Sequence, residues 1–197
     1  MPWPDGAVVV TPTVVPRRHT RDVTLDQWRT LGATPIVVEQ EDGPTGHGQQ
    51  IITARAAIRA GLNTDADLIV YAEDDIDLDP RLVGILPACI GDAPVSLWHR
   101  PRFRPRRLPP GDIVIVDAIQ SRTWFSSLCL ALPRRVAAAL VDQPAPDHGG
   151  IDMCLRDWKV RITVPALVEH RPGRRYASRN GRHYTSDTYE GPTSEPS

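Results

Sequence analysis

Residues 68–80 read LIVYAEDDIDLDP, an apolar run that passes directly into Glu73, Asp74, Asp75, Asp77 and Asp79. Carboxylates at that density repel one another unless a cation or solvent relieves them, and hard divalent ions prefer oxygen ligands. A magnesium or manganese ion held by one or two protein carboxylates, with a phosphate completing its shell, is the chemistry such a cluster serves. Glu73, Asp75 and Asp77 are the candidate ligands.

Basic residues complete the set. Of the 23 Lys and Arg residues only Lys159 is lysine, and the arginines cluster in HRPRFRPRR (99–107) and HRPGRRYASRNGRH (170–183). Guanidinium forks suit phosphate oxygens, so Arg171, Arg174 and Arg175 are placed to reach the oxygens that a metal would hold. Each feature also has an ordinary counterpart. The acids can form a solvated loop with Asp79 as a helix cap, codon bias can favour arginine, and Asp152 can be a helix N-terminal carboxylate favoured by the dipole.

One other chemistry is excluded and others are poorly supported. A calcium loop counted from Asp75 would have Pro80 at its glycine turn and Leu86 at its bidentate glutamate. A phosphatase using Asp75 and Asp77 would need a lysine followed by further acids, and after Lys159 the stretch VRITVPALVEH offers only Glu169. No glycine fingerprint follows the first strand and no phosphate-binding P-loop occurs.

The elements that must position these residues follow from the pattern. AVVVTPTVV (7–15) is a β-branched first strand. TRDVTLDQWRTLG (20–32) is a helix with Thr20 as N-cap, Leu25, Trp28 and Leu31 on one face, and Gly32 as its stop. TPIVVEQ (34–40) is the second strand. In QQIITARAAIRAGL, Ile51, Ala54, Ile58 and Leu62 share a helical face. DADLIVYAE is a third strand, continuously apolar as a central parallel strand should be. DPRLVGIL then opens a helix with Asp79 as cap and Pro80 first inside it.

Alternating strands and helices imply right-handed crossovers and a parallel sheet. The second half is looser: APVSLW (93–98), DIVIVDA (112–118) and SSLCLAL (126–132) read as strands, and PRRVAAALVD and GGIDMCLRDW as helices. VRITVPALVEH reads as an extended segment. The expectation is one α/β domain over 1–184 with a mixed, mostly parallel central sheet flanked by helices, followed by a polar tail over 185–197 too poor in apolar residues to pack. Its 197 residues suit a single core, and the net charge of −1 supplies no overall field for nucleic acid or membrane. Cys89, Cys129 and Cys154 form no Cys-x-x-Cys pair and read as buried free thiols in a reducing compartment. MPWPDGAVVV lacks the basic and long apolar regions of a signal peptide, and no apolar run approaches a membrane span, so a cytoplasmic protein is expected.

YAEDDIDLDP resembles the DxD segment of GT-A-type nucleotide-sugar glycosyltransferases, with Glu73-Asp74-Asp75 on the acidic triplet carried by the lipopolysaccharide-type branch. WFSSLCLALPRRVAAALV is similar to that branch's strand and helix near the acceptor, GGIDMCL to the segment supplying the catalytic aspartate, here Asp152, and VPALVEHRPGRRYAS to the closing segment whose histidine, here His170, joins the metal shell. The chain departs from the pattern in having Ile151 before Asp152 and no glycine in TWFSS, which keeps Asp147 open as the base.

The resemblance, over residues 7–178, implies a Rossmann-like GT-A domain. It also implies a Mn2+ or Mg2+ cofactor and transfer of a sugar from a nucleoside diphosphate to an acceptor hydroxyl, inverting if Asp152 is the base. Donor contacts are then expected from Thr11, Pro12 and Arg17 on one wall, from Glu39 near the base or ribose, from Asp74, and from Arg55 on the second helix. Trp98, Phe103 and Trp124 fall on the acceptor side. HRPRFRPRR interleaves arginine with an aromatic, a composition that binds flipped or single nucleotides, so hydroxylated bases in DNA stand beside saccharide, lipid-linked and small-molecule acceptors. Two other functions fit the same acids: a nucleotide-binding module without catalysis, and a metal-dependent nucleotidyl- or phosphotransferase.

Overall fold

The computed structural model describes residues 2–13, 18–40, 47–99, 112–117, 127–144 and 150–171. Strand β1 (Ala7–Thr13) leads to helix α1 (Arg18–Thr30), β2 (Ile36–Glu39), α2 (His47–Leu62) and β3 (Leu68–Ala72). A short strand β4 (Ile76–Leu78), a single helical turn α3 (Leu82–Ile85) and a 3-10 turn (Leu86–Cys89) follow. The second half holds β5 (Val95–Ser96), β6 (Val114–Asp117), β7 (Cys129–Pro133), α4 (Arg134–Asp142), a 3-10 turn (Ile151–Leu155), β8 (Arg161–Val164) and β9 (Val168–His170).

Among the described residues the main sheet has the order β2-β1-β3-β7-β5-β8-β6. The pairings run β1, β2, β3, β5 and β8 in one direction and β7 and β6 in the other, so the sheet is mixed but mostly parallel. From β1 the chain passes through α1 to β2 on one side, then through α2 to β3 on the other. That reversal makes the carboxyl ends of β1 and β3 a topological switch point, where open α/β sheets form a crevice. β4 and β9 form a separate two-stranded antiparallel ribbon.

Alternation along the strands divides the core. Val9, Val70 and Ala72 face Trp28 of α1 and the Leu82–Cys89 turns, while Val10, Ile69 and Tyr71 face Ala54, Ala57 and Ile58 of α2 and Val136 and Leu140 of α4. The anticipated faces of both long helices are buried: Leu25 and Trp28 on α1, and Ile51, Ala54 and Ile58 on α2. Gly61 lets α2 lie close against the sheet, since a Cβ there would meet Val10 Cγ1 at 2.9 Å. Gly32, with φ +86°, stops α1 in the left-handed conformation that glycine tolerates. Arg134 donates to the carbonyls of Leu62, Thr64 and Ala66, satisfying acceptors at the C-terminal end of α2.

Three expectations need correcting. Helix α1 begins before Thr20, whose carbonyl is engaged by Arg171. The helix expected from Asp79 is one turn starting at Leu82, because the Asp79 carboxylate accepts from the Arg81 backbone and guanidinium in a local turn. GGIDMCLRDW forms a five-residue 3-10 turn rather than a longer helix. β4 was hidden in the acidic stretch, and its strand character comes from pairing with β9. The tail from 185 lies outside the described residues. The three cysteines are buried free thiols, and burial pushes the Cys89 thiol up to about 12. None of the described helices is long and apolar enough to cross a membrane.

Candidate active site at the carboxyl end of the third strand

Residues 73–75 leave β3 at the switch point and are held there from three directions. The Thr13 hydroxyl, at the end of β1, donates to Asp74 Oδ2 at 2.6 Å. The Thr24 hydroxyl on α1 lies within hydrogen-bonding distance of both the Asp74 carbonyl (3.2 Å) and the Ile76 carbonyl (3.0 Å). The Glu73 amide donates to the Leu128 carbonyl, and the Ser127 hydroxyl donates to Glu73 Oε1 at 2.6 Å. Asp74 and Asp75 are buried at 2% and 3% exposure, so these carboxylates are an inward-facing feature rather than a solvated loop.

Opposite Asp75 stands His170, at the end of β9, with Nε2 3.4 Å from Asp75 Oδ2. The other ring nitrogen, Nδ1, is 3.1 Å from the Arg171 carbonyl. A carbonyl only accepts, so Nδ1 carries a proton, and the ring turns Nε2 toward the carboxylate. An imidazole nitrogen and a carboxylate oxygen form a donor pair suited to a divalent ion, with the nitrogen favouring manganese over magnesium. Among the described residues no group of three or more His, Cys, Asp and Glu side chains converges on one point. Two protein donors are what a shell completed by phosphate and water requires.

Asp152 lies near the Ser127 that bonds to Glu73. A Cβ on Gly150 would be 2.9 Å from Asp152 Oδ1 and 3.7 Å from Ser127 Oγ, so Asp152 and the Ser127–Glu73 pair flank that glycine. Burial raises the Asp152 carboxyl above its ordinary range, while the backbone N–H groups of Asp152, Met153 and Gly150 pull it partly back. Beneath both halves is Tyr71. Its hydroxyl is held well above the ordinary phenol range by burial and then by the charges of Glu73, Asp74, Asp152 and Asp75. One phenol thus lies within reach of the charge of all four carboxylates.

The remaining candidates are distributed as follows. Asp77 Oδ1 accepts from Gln27 and Arg171, turning the carboxylate toward α1 and β9. Arg171 is occupied by Asp77 and by the Thr20 and Ile76 carbonyls. Arg55 reaches the Pro144 carbonyl and Cys154 Sγ, which ties α2 to the segment carrying Asp152. Glu39 ends β2 with a partly exposed carboxylate 3.7 Å from Arg21. Thr11 is fully buried and Pro12 half-buried, so the end of β1 meets the acidic turn through Thr13 instead. Trp98 is buried, and its indole N–H donates to Glu169, which makes it core rather than a stacking platform. Arg17, Phe103, Trp124, Asp147, Arg174 and Arg175 lie outside the described residues, as does HRPRFRPRR beyond His99. A shallow depression of about 300 Å3, lined by Gly6, Ala7, Val8, Thr64, Asp65 and Ala66, lies at the opposite ends of β1 and β3.

No family model matches this chain, and no curated protein matches it significantly.

Sequence reasoning missed Thr13, Thr24, Gln27, Ser127 and Tyr71. A signal existed for two of them. Thr24 and Gln27 continue a polar stripe from Thr20 beside the apolar face of α1, at the spacing that puts them on one side of a helix. Ser127 and Tyr71 carry no such signal, because only the β3–β7 pairing brings their segments together.

Proposed function

We propose that this protein is a metal-dependent glycosyltransferase that moves a sugar from a nucleoside-diphosphate sugar to an acceptor hydroxyl. The observation that carries the reading is the 3.4 Å approach of Asp75 Oδ2 to His170 Nε2, beside a buried Asp152 whose charge reaches the same Tyr71 as that of Asp75. Its support from the fold is the crevice at the switch point, in a sheet taken here as a Rossmann-like GT-A sheet.

Asp75 and His170 would hold the ion, while the Glu73 carboxylate accepts from Ser127. The ion supplies charge neutralisation for the departing diphosphate. Asp152, whose carboxyl sits above the usual carboxylate range, takes the acceptor proton. The acceptor oxygen forms the new bond to the anomeric carbon as the bond to the diphosphate oxygen breaks, and the electron pair leaves with the nucleoside diphosphate. Attack from the face opposite that leaving group inverts the anomeric centre.

A second reading, a nucleotide-binding module without turnover, draws on the engagement of Asp74 with Thr13 and of Asp77 with Arg171. A thermal-shift screen of nucleoside-diphosphate sugars with and without Mn2+ finds the donor, since a ligand of the folded state raises Tm. Slow hydrolysis of that donor, abolished by Asp75→Ala, establishes an enzyme. Binding without hydrolysis or transfer supports the module, and release of pyrophosphate supports a nucleotidyltransferase. Donor binding indifferent to Mn2+ and to Asp75→Ala overturns the metal site. Hydroxylated DNA, oligosaccharide and lipid-linked acceptors are then compared on the active protein, with Asp152→Asn and Asp147→Asn in parallel to assign the base.

A further inference from the structure

We propose that Arg171 and Asp77 form a latch that fixes the His170 ring against Asp75, and that neither residue binds the donor or the metal. The proposal rests on the metal reading of Asp75 and His170.

The β4–β9 ribbon that carries His170 consists of three residue pairs, Ile76↔His170, Asp77↔Glu169 and Leu78↔Val168. A two-stranded ribbon of that length is marginal by itself, so backbone pairing alone holds His170 weakly. Arg171, the next residue, supplies what the ribbon lacks. Its amide donates to the Asp75 carbonyl at 2.8 Å. Its Nε donates to Asp77 Oδ1 at 2.8 Å, and one terminal nitrogen lies 2.7 Å from the same oxygen and 2.9 Å from the Ile76 carbonyl. The other terminal nitrogen donates to the Thr20 carbonyl at 3.1 Å. One side chain thus joins β9 to β4 and to the start of α1. Gln27 closes the arrangement, donating to Asp77 Oδ1 at 3.1 Å while its own Oε1 accepts from the Leu78 amide at 2.9 Å.

The same bonds decide against a phosphate-reading role. A guanidinium grips an oxyanion bidentately along one of two edges. The edge bearing Nε is occupied by Asp77, and the edge between the terminal nitrogens is shared by the Ile76 and Thr20 carbonyls. What the latch fixes is the Arg171 carbonyl, which holds His170 Nδ1 and so sets both the tautomer and the direction of Nε2. Metal-binding histidines are commonly oriented by such a carbonyl, and disturbing that outer partner costs 10–100-fold in metal affinity.

The experiment is a double-mutant cycle read by Mn2+ calorimetry on the full chain, alongside 15N shifts of the His170 ring, which report the nitrogen that bears the proton. Arg171→Gln is expected to weaken Mn2+ binding by about tenfold and to lose the Nδ1–H signature. In the His170→Ala background the same change should cost less than about twofold, because a residue acting through His170 has nothing left to position. Asp77→Asn keeps an acceptor oxygen and should cost far less than Asp75→Asn. Arg171→Lys, which keeps the charge without the fork, serves if the glutamine variant does not fold and should give the same pattern. Losses from Arg171 and His170 that multiply, an Arg171 variant binding Mn2+ like the wild type, or an Asp77→Asn loss matching Asp75→Asn would each overturn the latch. If the wild type binds no Mn2+, the metal reading fails by itself. The latch then stands or falls on whether the ring signature disappears with Arg171.

Discussion

The Thr13 hydroxyl and Asp74 Oδ2 lie 2.6 Å apart, a buried bond joining the last residue of β1 to the acidic turn after β3. The two residues are 61 positions apart in the chain, and the bond closes the floor of the switch-point crevice. Thr13→Val keeps the shape and removes the donor. A hydrogen bond to a charged group contributes about 1.5–3 kcal/mol, and the carboxylate left behind is at 2% exposure. Urea unfolding should show a stability loss of about that size, with the slope unchanged. A variant as stable as the wild type would mean that Asp74 is neutralised from elsewhere.

Asp152 should give two opposite pH signatures. As the base it must be ionised, so kcat/KM should rise with pH through a value above the ordinary carboxylate range, and Asp152→Asn should lower kcat by about 10²–10⁴-fold. Stability runs the other way. The folded state binds the Asp152 proton more tightly than the unfolded chain, so this stabilisation is complete below the unfolded pKa and is lost as pH rises through the raised folded value. Asp152→Asn removes that loss while keeping an oxygen for the backbone N–H donors. Its Tm should therefore exceed that of the wild type near neutral pH, with the gap closing in acid. A variant less stable at neutral pH would show that the charged carboxylate is favoured by the fold.

These two residues mark where sequence was sufficient and where it was not. β1 through β3, the buried faces of α1 and α2, and the placement of Glu73–Asp75 at a strand's carboxyl end were legible because local periodicity and the crossover rule determine them. Asp152 was found as a candidate, but its relation to Glu73 runs through Ser127 and Gly150, and that depends on β7 pairing antiparallel with β3. Asp77 and Arg171 were expected at metal and phosphate. Both are charged and near the site in sequence, and residue type does not distinguish a ligand from a partner of the opposite charge. β4 was missed because the alternation Ile76-Asp77-Leu78 is only three residues long and its partner strand is distant in the chain, with Ile76 paired to His170, 94 positions on.

Gly150 is required for space rather than for backbone freedom. Its φ of −97° and ψ of −165° are open to any residue, yet an added Cβ would sit 2.9 Å from Asp152 Oδ1. Gly150→Ala should swing that carboxylate away from its N–H donors without unfolding the chain, since the obstacle is the end of a short side chain. We expect kcat to fall at least tenfold, a misplacement effect, with Mn2+ affinity and Tm nearly unchanged. Equal loss of metal affinity would show that Gly150 supports the Asp75 side instead.

If Asp75 and His170 hold an ion as proposed, the imidazole nitrogen sets which ion it is. Magnesium demands an octahedron of oxygens and keeps its waters, whereas manganese accepts an imidazole nitrogen beside a carboxylate. With Nε2 3.4 Å from Asp75 Oδ2, both groups can serve one ion, and the wild type should bind Mn2+ more tightly than Mg2+. His170→Ala should weaken Mn2+ more than Mg2+ and narrow that ratio. His170→Asp replaces nitrogen by oxygen and should shift the preference toward Mg2+. Competition calorimetry with the two ions measures the ratio directly. If His170→Ala leaves it unchanged, the ring is a proton-bearing partner of Asp75 and the ion, where one binds, is held by oxygens alone.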